Sequence, residues 1–346
     1  MKGLVITNSE DVSLLEIKEL IGAGGKKEKN VVIFDCDAEK LCDLCYFGRS
    51  FSRIAELVCS FEFKNLDDIK KKIKTGDFSA ETFAVRCIRE GKHDFSSPDV
   101  EKIVGDKIIC KVDLKNPQKI LLAYVCDNKF YLGIEYSGFD LGKRDYKIFV
   151  HPASIRGDVA YSLLRLADFG KKDVLLDPFC GSGTILIEAA LYCMNKSVHF
   201  HQKDKFAFLK FMKYGFKDKI SGKCRIIGTD ISRNAVINAQ KNAKIAGAEI
   251  EFQVADVEWL DTKFDEHSVN KIVTNPAQLS KRRKPEPIKK SYDDLFNNAK
   301  YVLKKKGTVT VITKDAGLMK EIAKKNGFEA KKEQRIRDYD VVVFGQ

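Results

Sequence analysis

The sequence lacks the features that would place the chain in a membrane or around a metal ion. Its 346 residues include no early apolar segment typical of an export signal and no apolar run long enough to span a bilayer. Of the ten cysteines, only Cys42 and Cys45 form a C-x-x-C pair, and no second pair completes a zinc site. The five histidines have no metal-ligand spacing. We therefore expect no metal, no membrane association and, with the cysteines as free thiols, a reducing cytoplasm.

Basic residues are in excess over acidic ones. Lysine and arginine number 61 against 49 acids, which gives a formal net charge of +12. Such an excess is compatible with binding to a polyanion but does not require it. The length allows two or three domains with a substantial core. Cys42 and Cys45 fall in an apparently helical segment, so we expect them to be buried rather than reactive.

Residues 174–184, with the sequence VLLDPFCGSGT, are the most informative segment of the chain. A short apolar run ends at Asp177, a turn containing Gly181 and Gly183 follows, and then comes an apolar, helix-forming stretch. Strand, glycine turn and helix in this order predict a site for a nucleotide-like ligand at the carboxyl end of a parallel strand. Glycines let the backbone approach the ligand, and the helix N-terminus offers free N–H groups.

Three further apolar runs each end in a polar residue: Asp230, Asp256 and Asn275. Alanines at helical spacing over 232–246 predict a helix between the first two, and the alternation of strand and helix predicts a parallel sheet. An NAD site would place an acid about 20 residues after the glycine turn to bind the ribose. Asp230 lies much further along the chain, which makes NAD the poorer interpretation.

These features together resemble those of the class I S-adenosylmethionine-dependent methyltransferases. In that family the D-x-F-x-G-x-G loop wraps the methionine part of the cofactor, an acid placed like Asp230 binds the ribose hydroxyls, and an acid placed like Asp256 meets the adenine amine. For either acid, a turn or helix N-cap residue is the alternative. The resemblance implies S-adenosylmethionine as cofactor. The residues expected around it are Ser154, Asp177, Phe179, Cys180, Gly181, Ser182, Gly183, Thr184, Asp230, Ile231, Asp256 and Val257.

The fourth strand end resembles the site of amino-methylating members of this family. There, an Asn or Asp side chain and a proline carbonyl accept hydrogen bonds from an exocyclic amine, which leaves the nitrogen lone pair free to attack the methyl group. Asn275 and Pro276 match this pattern and are the expected catalytic residues. Ala277 and Gln278 stand where those members have a second proline and an aromatic residue that stacks on the base. An Asn-Pro pair that forms only a turn is the alternative.

The N-terminal half resembles a THUMP domain, an RNA-binding module of tRNA-modifying enzymes. The likeness rests on three segments, which are TFAVRCIREGKHDF at 82–95, VDLKNP at 112–117 and LGKRDY at 141–146. Ser97, directly before Pro98, is the expected helix N-cap after the first of them. The resemblance implies that the module binds the acceptor end of tRNA, although any single basic residue also fits ordinary surface. The residues expected to contact RNA are Arg86, Arg89, Lys92, Lys143, Arg144, Lys281, Arg282 and Arg283.

The resemblances cover nearly the whole chain and predict an α/β protein of three parts. Residues 1–69 are expected to form a ferredoxin-like domain and residues 70–150 the THUMP domain, both α+β. Residues 151–346 are expected to form a Rossmann-like class I methyltransferase domain, with 151–170 as a bridge. Its mixed, seven-stranded sheet would end in an antiparallel hairpin within 328–346.

Two segments have open interpretations. Five aromatic residues between 206 and 216 either belong to a core, which their near-helical spacing favours, or stack bases at the surface. The basic run at 281–284, followed by Pro285 and Pro287, is either a mobile loop close to the substrate or a solvated loop.

The combined resemblances predict a tRNA methyltransferase acting on the exocyclic N2 of a guanosine, and favour guanosine six of the acceptor stem. One alternative is an RNA-binding subunit that has lost transfer activity, because Ala277 and Gln278 depart from the expected pattern. Lesser alternatives are amine methylation of guanine in ribosomal RNA or of adenine in DNA. We expect a monomer that binds tRNA, and a requirement for a small activating protein stays open.

Overall fold

Two β-sheets organise the chain, one in each of two units. The computed structural model describes residues 1–150, 154–279 and 284–346. Each unit is built from two separate stretches of sequence. These are Met1–Leu141 with His199–Lys217 for the first unit, and Gly142–Val198 with Asp218–Gln346 for the second.

The first unit contains one continuous sheet. Its elements in chain order are β1 (Lys2–Thr7), α1 (Glu10–Ile21), β2 (Gly25–Glu28), β3 (Val31–Asp35), α2 (Ala38–Phe47), β4 (Phe51–Glu62), α3 (Leu66–Lys72), β5 (Thr82–Glu90), α4 (Ser97–Gly105), β6 (Lys111–Val112), β7 (Lys119–Cys126) and β8 (Lys129–Glu135). The eight strands lie in the order β2-β3-β1-β4-β8-β7-β5-β6, antiparallel apart from β5 with β6 and β7. Because β4 pairs with β8, the predicted ferredoxin-like and THUMP parts share this sheet.

Helix α4 begins one residue earlier than the sequence analysis places it. Ser96 is the N-cap, and it forms a capping box with Asp99 in which each side chain accepts the other residue's backbone N–H. Ser97, expected to be the N-cap, is instead the first helical residue, and Pro98 is the second. The reciprocal hydrogen bonds satisfy two N–H groups that the first turn leaves without helical partners, which decides the start of the helix.

Helix α2 packs its apolar face against the sheet, and this face carries the C-x-x-C pair. Cys42 and Cys45 are both fully buried, in a cluster that also contains Phe34 and Leu41. Burial raises the pKa of the Cys42 thiol to about 12. Burial of both cysteines confirms the prediction from the helical spacing.

The segment His199–Lys217 contributes to the core of the first unit. Phe206 and Phe208 are buried there and stack with their ring centroids 5.2 Å apart. The other three aromatic residues are partly buried against the same cluster; they are Phe211, Tyr214 and Phe216. The core interpretation of these residues is therefore confirmed. The sequence predicts that this segment belongs to the methyltransferase domain at 151–346, whereas it packs in the first unit. The three-part division of the chain stays a prediction.

The second unit contains the predicted mixed sheet of seven strands. Its elements in chain order are α5 (Gly157–Leu166), β9 (Leu175–Asp177), α6 (Thr184–Cys193), β10 (Ile226–Asp230), α7 (Arg233–Ala246), β11 (Glu251–Val254), α8 (Leu260–Lys263), β12 (Val269–Thr274), α9 (Pro285–Val302), β13 (Leu303–Thr313), α10 (Ala316–Lys325), β14 (Glu329–Ile336) and β15 (Tyr339–Gly345). The order is β11-β10-β9-β12-β13-β15-β14, with the first five strands parallel and the last two forming an antiparallel hairpin. The carboxyl ends of β9, β10 and β12 therefore meet at one edge of the sheet.

Apolar clusters cover both faces of this sheet. Helices α8, α9 and α10 pack in one cluster around Phe296 and Met319, and α6 and α7 contribute to another around Ile187 and Ala243. Helices on both faces of a sheet bury its central strands, which explains the apolar residues of β9 and β12. Within the described ranges, no helix is long and apolar enough to cross a membrane.

Arg144, expected to contact RNA, is instead buried in an ion pair. Its side chain is fully enclosed, and Nε donates to Glu188 Oε1 on α6 at 2.8 Å while Nη2 donates to Oε2 at 3.3 Å. The Tyr146 hydroxyl donates to the same carboxylate at 2.8 Å. The expectation is wrong because Glu188 completes the coordination of the guanidinium inside the protein. Arg144 thus ties the chain before the bridge to the helix that follows the glycine turn.

The expectation that all cysteines are free thiols is wrong. Cys193, the last residue of α6, is disulfide-bonded to Cys224, which lies shortly before β10, and the remaining eight cysteines are free. The two bonded residues are 31 positions apart. The bond therefore closes the stretch of chain that contributes His199–Lys217 to the first unit. The expectation of a reducing compartment therefore no longer has the support of cysteines that are all free thiols.

We predict that Glu188→Gln destabilises the second unit, because it removes the carboxylate that pairs directly with the buried Arg144 guanidinium. Removing one partner of a buried pair costs about 3–5 kcal/mol of unfolding free energy. Glu333→Gln is the matched control, since its pair with Lys320 is about half exposed and worth about 0–1 kcal/mol. Urea unfolding followed by the fluorescence of the single tryptophan, Trp259 in the second unit, measures both. Equal midpoints for the two variants would contradict the assignment.

Candidate active site

A cavity of about 540 Å³ opens at the carboxyl ends of β9, β10 and β12. This is a size that suits a small-molecule ligand. Most of the residues predicted from the sequence line it, namely Ser154, Asp177, Phe179, Cys180, Gly181, Ser182, Thr184, Asp230, Ile231, Asp256, Val257 and Asn275. Gly183 and Pro276 lie in the same turns beside lining residues. In the part of the chain that the structure describes, no cluster of three or more His, Cys, Asp or Glu side chains could hold a metal ion.

The turn between β9 and α6 needs glycine at two positions. Gly181 and Gly183 have φ angles of 53° and 80°, in the left-handed region that side chains disfavour. A Cβ atom on Gly183 would also lie 3.1 Å from the Cβ of Ala239 on α7. The turn can therefore pack against α7 and still deliver the start of α6, at Thr184, to the cavity. The first turn of a helix has N–H groups without helical partners, which suit an anionic ligand group.

Asp177 ends β9 as a buried carboxylate. Its Oδ1 accepts the backbone N–H of Phe179 at 3.1 Å and the hydroxyl of Thr274 at 2.6 Å. The pKa of Asp177 is raised to about 7, mainly by burial and also by the nearby Asp230 carboxylate, while the two hydrogen bonds lower it. A cationic ligand group at this end of the cavity would favour the ionised form.

Asp230 and Asp256 face the cavity and also accept backbone hydrogen bonds. Asp230 Oδ2 accepts the N–H of Gly181 at 3.0 Å and Oδ1 that of Ser232 at 2.8 Å. Asp256 accepts the N–H of Glu258 at 3.2 Å and is the N-cap of the 3-10 helix Val257–Trp259. The alternative interpretation of these acids, as residues that stabilise a turn or cap a helix, therefore holds for both. Both also line the cavity, so the two interpretations are compatible.

The chain before α5 reaches the glycine turn through hydroxyl and amide groups. The Ser154 hydroxyl lies 2.7 Å from that of Ser182 and 3.3 Å from that of Thr184. Asn242 on α7 is buried, and its Nδ2 donates to the carbonyls of Phe149 at 2.9 Å and Ser182 at 3.0 Å. These contacts bring Ser154 to the cavity, as the sequence predicts. The first three residues of the predicted bridge, 151–153, lie outside the described residues.

The turn at 275–278 follows β12 and carries the expected catalytic pair. Thr274, bonded to Asp177, fixes the end of the strand, and Asn275 and Ala277 line the cavity directly after it. The hydroxyl of Tyr292 on α9 donates to the Ala277 carbonyl at 2.6 Å. Asn275 is therefore brought to the same cavity as the glycine turn and its acids.

Helix α9 supplies a wall of the cavity that the sequence analysis misses. Its lining residues are Pro287, Ile288, Lys290, Ser291 and Asp294. The other lining residues outside the predicted set are Ile155, Pro178, Ile185, Ser232 and Ala277. Pro285 and Pro287, which follow the loop predicted at 281–284, both lie in the first turn of α9, and residues 281–283 of that loop lie outside the described residues. Proline is favoured there because the first turn needs no N–H donor, and this preference could have identified the helix start.

The other residues expected to contact RNA are exposed to different degrees. Arg86, Lys92 and Lys143 are exposed, and Arg89 is half-buried with its guanidinium 5.6 Å from the centroid of the Phe95 ring. Arg144 is enclosed, as described above. Lys281, Arg282 and Arg283 lie outside the described residues.

Comparisons with known proteins agree with this architecture. Residues 144–341 match the model of the UPF0020 family, the RMKL-like methyltransferase domain, and residues 63–135 match the THUMP domain. The tRNA (guanine(6)-N2)-methyltransferase of Methanocaldococcus jannaschii is 31% identical over 95% of this chain and 94% of its own length. The protein of the same name from Archaeoglobus fulgidus is 28% identical over 95% of this chain and 86% of its own.

Solved structures share the fold. TrmN from Thermus thermophilus superposes with a TM-score of 0.73 at 24% identity, covering 100% of both chains. SMU.472 in complex with SAH superposes with a TM-score of 0.79 at 20% identity, covering 99% of this chain and 98% of its own. The predicted resemblance to methyltransferases with an N-terminal THUMP domain is confirmed. The chain belongs to the RMKL-like methyltransferase family and carries a THUMP domain ahead of its methyltransferase domain.

Proposed function

We propose that this chain transfers a methyl group from S-adenosylmethionine to the exocyclic N2 of guanosine six in the acceptor stem of tRNA. The observation that carries the proposal is that Asn275 opens onto the same cavity as the glycine turn, Asp177, Asp230 and Asp256. The names of the archaeal relatives, which specify guanine 6 and N2, support the base and the position. In this proposal the chain acts as a monomer in the cytoplasm.

The cavity fits S-adenosylmethionine by charge and by hydrogen-bonding groups. Asp177 and Asp230 lie together, and burial of Asp177 is unfavourable without a cation beside it. The glycine turn and the start of α6 would bind the methionine part, Asp230 the ribose diol and Asp256 the adenine amine. When bound, the cofactor supplies the methyl group from a cationic sulfonium.

Asn275 and Pro276 orient the substrate amine. The Asn275 Oδ1 and the Pro276 carbonyl oxygen both lie within hydrogen-bond distance of a single amide nitrogen, Nε2 of Gln278, at 3.3 and 2.9 Å. Each oxygen has a further lone pair, so both can also accept an N–H group of a guanine amine and leave the amine lone pair for attack. A strong general base is not needed, because the extra proton can leave the nitrogen after transfer.

Substrate binding requires that the guanosine leave its stem. Flipping a base costs a few kcal/mol, which contacts to the phosphate backbone can offset. The exposed basic residues Arg86, Lys92 and Lys143, together with Arg89, supply such contacts, and Lys281, Arg282 and Arg283 are assigned to the same role by sequence alone. The net charge of +12 supports a polyanionic partner.

We predict that Asn275→Ala reduces kcat about 100-fold, because the amine loses an orienting acceptor. The assay measures methyl transfer from labelled S-adenosylmethionine to unmodified tRNA, followed by nucleoside analysis for N2-methylguanosine. Asn297→Ala, at an exposed position of α9, is the matched control and should behave as wild type. A transcript with adenosine at position six should accept no label.

Two outcomes of this assay would contradict the proposal. Wild-type protein that binds cofactor and tRNA but transfers nothing would favour an RNA-binding subunit, unless addition of a small partner protein restores transfer. Labelled transcript with adenosine at position six would move the target to another nucleotide.

We predict that cofactor affinity depends on pH through Asp177. A bound cation favours the ionised carboxyl, so affinity is highest above the pKa of about 7 and falls as the pH drops through it. From about pH 8 to about pH 6, the dissociation constant of S-adenosylmethionine should rise about fivefold to tenfold, as measured by calorimetry.

Asp177→Asn tests the origin of this dependence. The asparagine oxygen can still accept the hydrogen bonds of Phe179 and Thr274 but cannot ionise, so binding should weaken at high pH and lose most of its slope. Because folding raises the pKa of Asp177 from 3.8 to about 7, the wild type loses stability as the pH rises between these two values, and the variant should not. Asp338→Asn, at an exposed position, is the control. An unchanged slope in Asp177→Asn would assign the titration to another group.

A further inference from the structure

Gln278 bridges the catalytic turn to the neighbouring strand β13. The two N–H groups of its Nε2 are shared among three acceptors, the Pro276 carbonyl at 2.9 Å, the Ile312 carbonyl at 3.1 Å and Asn275 Oδ1 at 3.3 Å. Its Oε1 accepts the backbone N–H of Lys314 at 2.9 Å. These contacts fix which end of the Gln278 amide is nitrogen. The three acceptor oxygens surround its NH₂ group, and the Lys314 N–H points to its carbonyl oxygen. The side chain thus bonds to the backbone of residues 312 and 314 much as a paired strand does.

The turn needs such a support because its own backbone is only partly restrained. Proline fixes φ at Pro276, but Ala277 has no comparable restriction. The Tyr292 hydroxyl fixes the carbonyl of Ala277. Gln278 provides the second attachment, and it is the one that contacts the two oxygens assigned to the substrate amine. Small displacements of such acceptors change rates strongly, because the reacting atoms must be aligned.

Gln278 can remain bonded while a substrate amine binds. Asn275 and Ala277 are among the described residues that line the cavity, whereas Pro276 and Gln278 are their neighbours in the turn and are not. A carbonyl oxygen has two lone pairs, so Asn275 Oδ1 and the Pro276 carbonyl can each accept a second hydrogen bond while bonded to Gln278. The bridge is therefore compatible with a bound amine and does not have to open for substrate to enter.

We propose that Gln278 is a positioning residue, whose amide fixes Asn275 Oδ1 and the Pro276 carbonyl oxygen in the arrangement that the substrate amine requires. The inference rests on the proposed function for its effect on methyl transfer. It concerns a position at which the chain departs from the aromatic residue of the pattern it resembles. The departure replaces a contact to the base with a support for the acceptors.

The test compares Gln278→Met with Gln278→Glu. Methionine has a similar length but cannot donate or accept comparably, and glutamate keeps the shape but places a carboxylate against three oxygens. Gln240→Met, at an exposed position of α7, is the matched control. For each purified full-length protein, kcat and KM for tRNA, the dissociation constant of S-adenosylmethionine and the unfolding midpoint are measured. Hydrogen exchange at the Lys314 amide reports on the bridge itself, without substrate.

In both Gln278 variants we expect kcat to fall at least about tenfold, with KM for tRNA and cofactor affinity within about twofold of wild type. Exchange at the Lys314 amide should rise in Gln278→Met, whereas Gln278→Glu can still accept that N–H and should retain part of the protection. Gln240→Met should match wild type in every measurement.

Three results would overturn the inference. They are unchanged kcat in both variants, a loss that appears only in KM or cofactor affinity, and unchanged exchange at Lys314 in Gln278→Met. Failure of the proposed function is distinguishable, because wild type would then transfer no methyl group. In that case the exchange rate of the Lys314 amide alone decides whether the bridge exists. If the bridge is absent, the positioning role is rejected. If Gln278→Met does not fold, Gln278→Glu carries the kinetic test.

Discussion

The hydrogen bond between the Thr274 hydroxyl and the Asp177 carboxylate is the contact on which the site depends. At 2.6 Å, it joins the end of β9, where the glycine turn begins, to the end of β12, directly before Asn275. Both residues are buried, so a broken contact would leave polar atoms unsatisfied in the interior at a cost of about 1–3 kcal/mol. The ligand-binding turn and the catalytic turn are therefore kept in register by a bond that belongs to the core of the sheet.

The acids of the site serve both the fold and the ligand. Asp230 organises the glycine turn through Gly181, and Asp256 caps a short helix, yet both keep a surface on the cavity. The raised pKa of Asp177 shows the cost of gathering carboxylates in a protein interior. A cationic ligand relieves that cost, so the same arrangement that is unfavourable alone becomes favourable when occupied. Burial of these carboxylates thus lowers the stability of the site without a ligand and strengthens the binding of a cationic one.

Residues whose positions depend on short-range patterns could be predicted, whereas residues whose environment depends on distant partners could not. Asp177, Asp230 and Asn275 could be placed together because parallel strands end at one edge of their sheet. Lys143 and Arg144 look alike in a basic motif, and only Glu188, 44 positions away from Arg144, shows which of them turns inward. The pairing of Cys193 with Cys224 and the location of Phe206 in the first unit likewise depend on partners that no local pattern names.

By itself, the sequence determined the two resemblances, the alternation of strands and helices and the residues at the strand ends, because periodicity and turn chemistry act over a few residues. Tertiary structure alone decided that Arg144 is enclosed, that α9 forms a wall of the cavity, and that Gln278 bonds to β13. Those outcomes require groups distant along the chain to meet. Their energies arise only when folding removes water from both partners at once, which no stretch of sequence records.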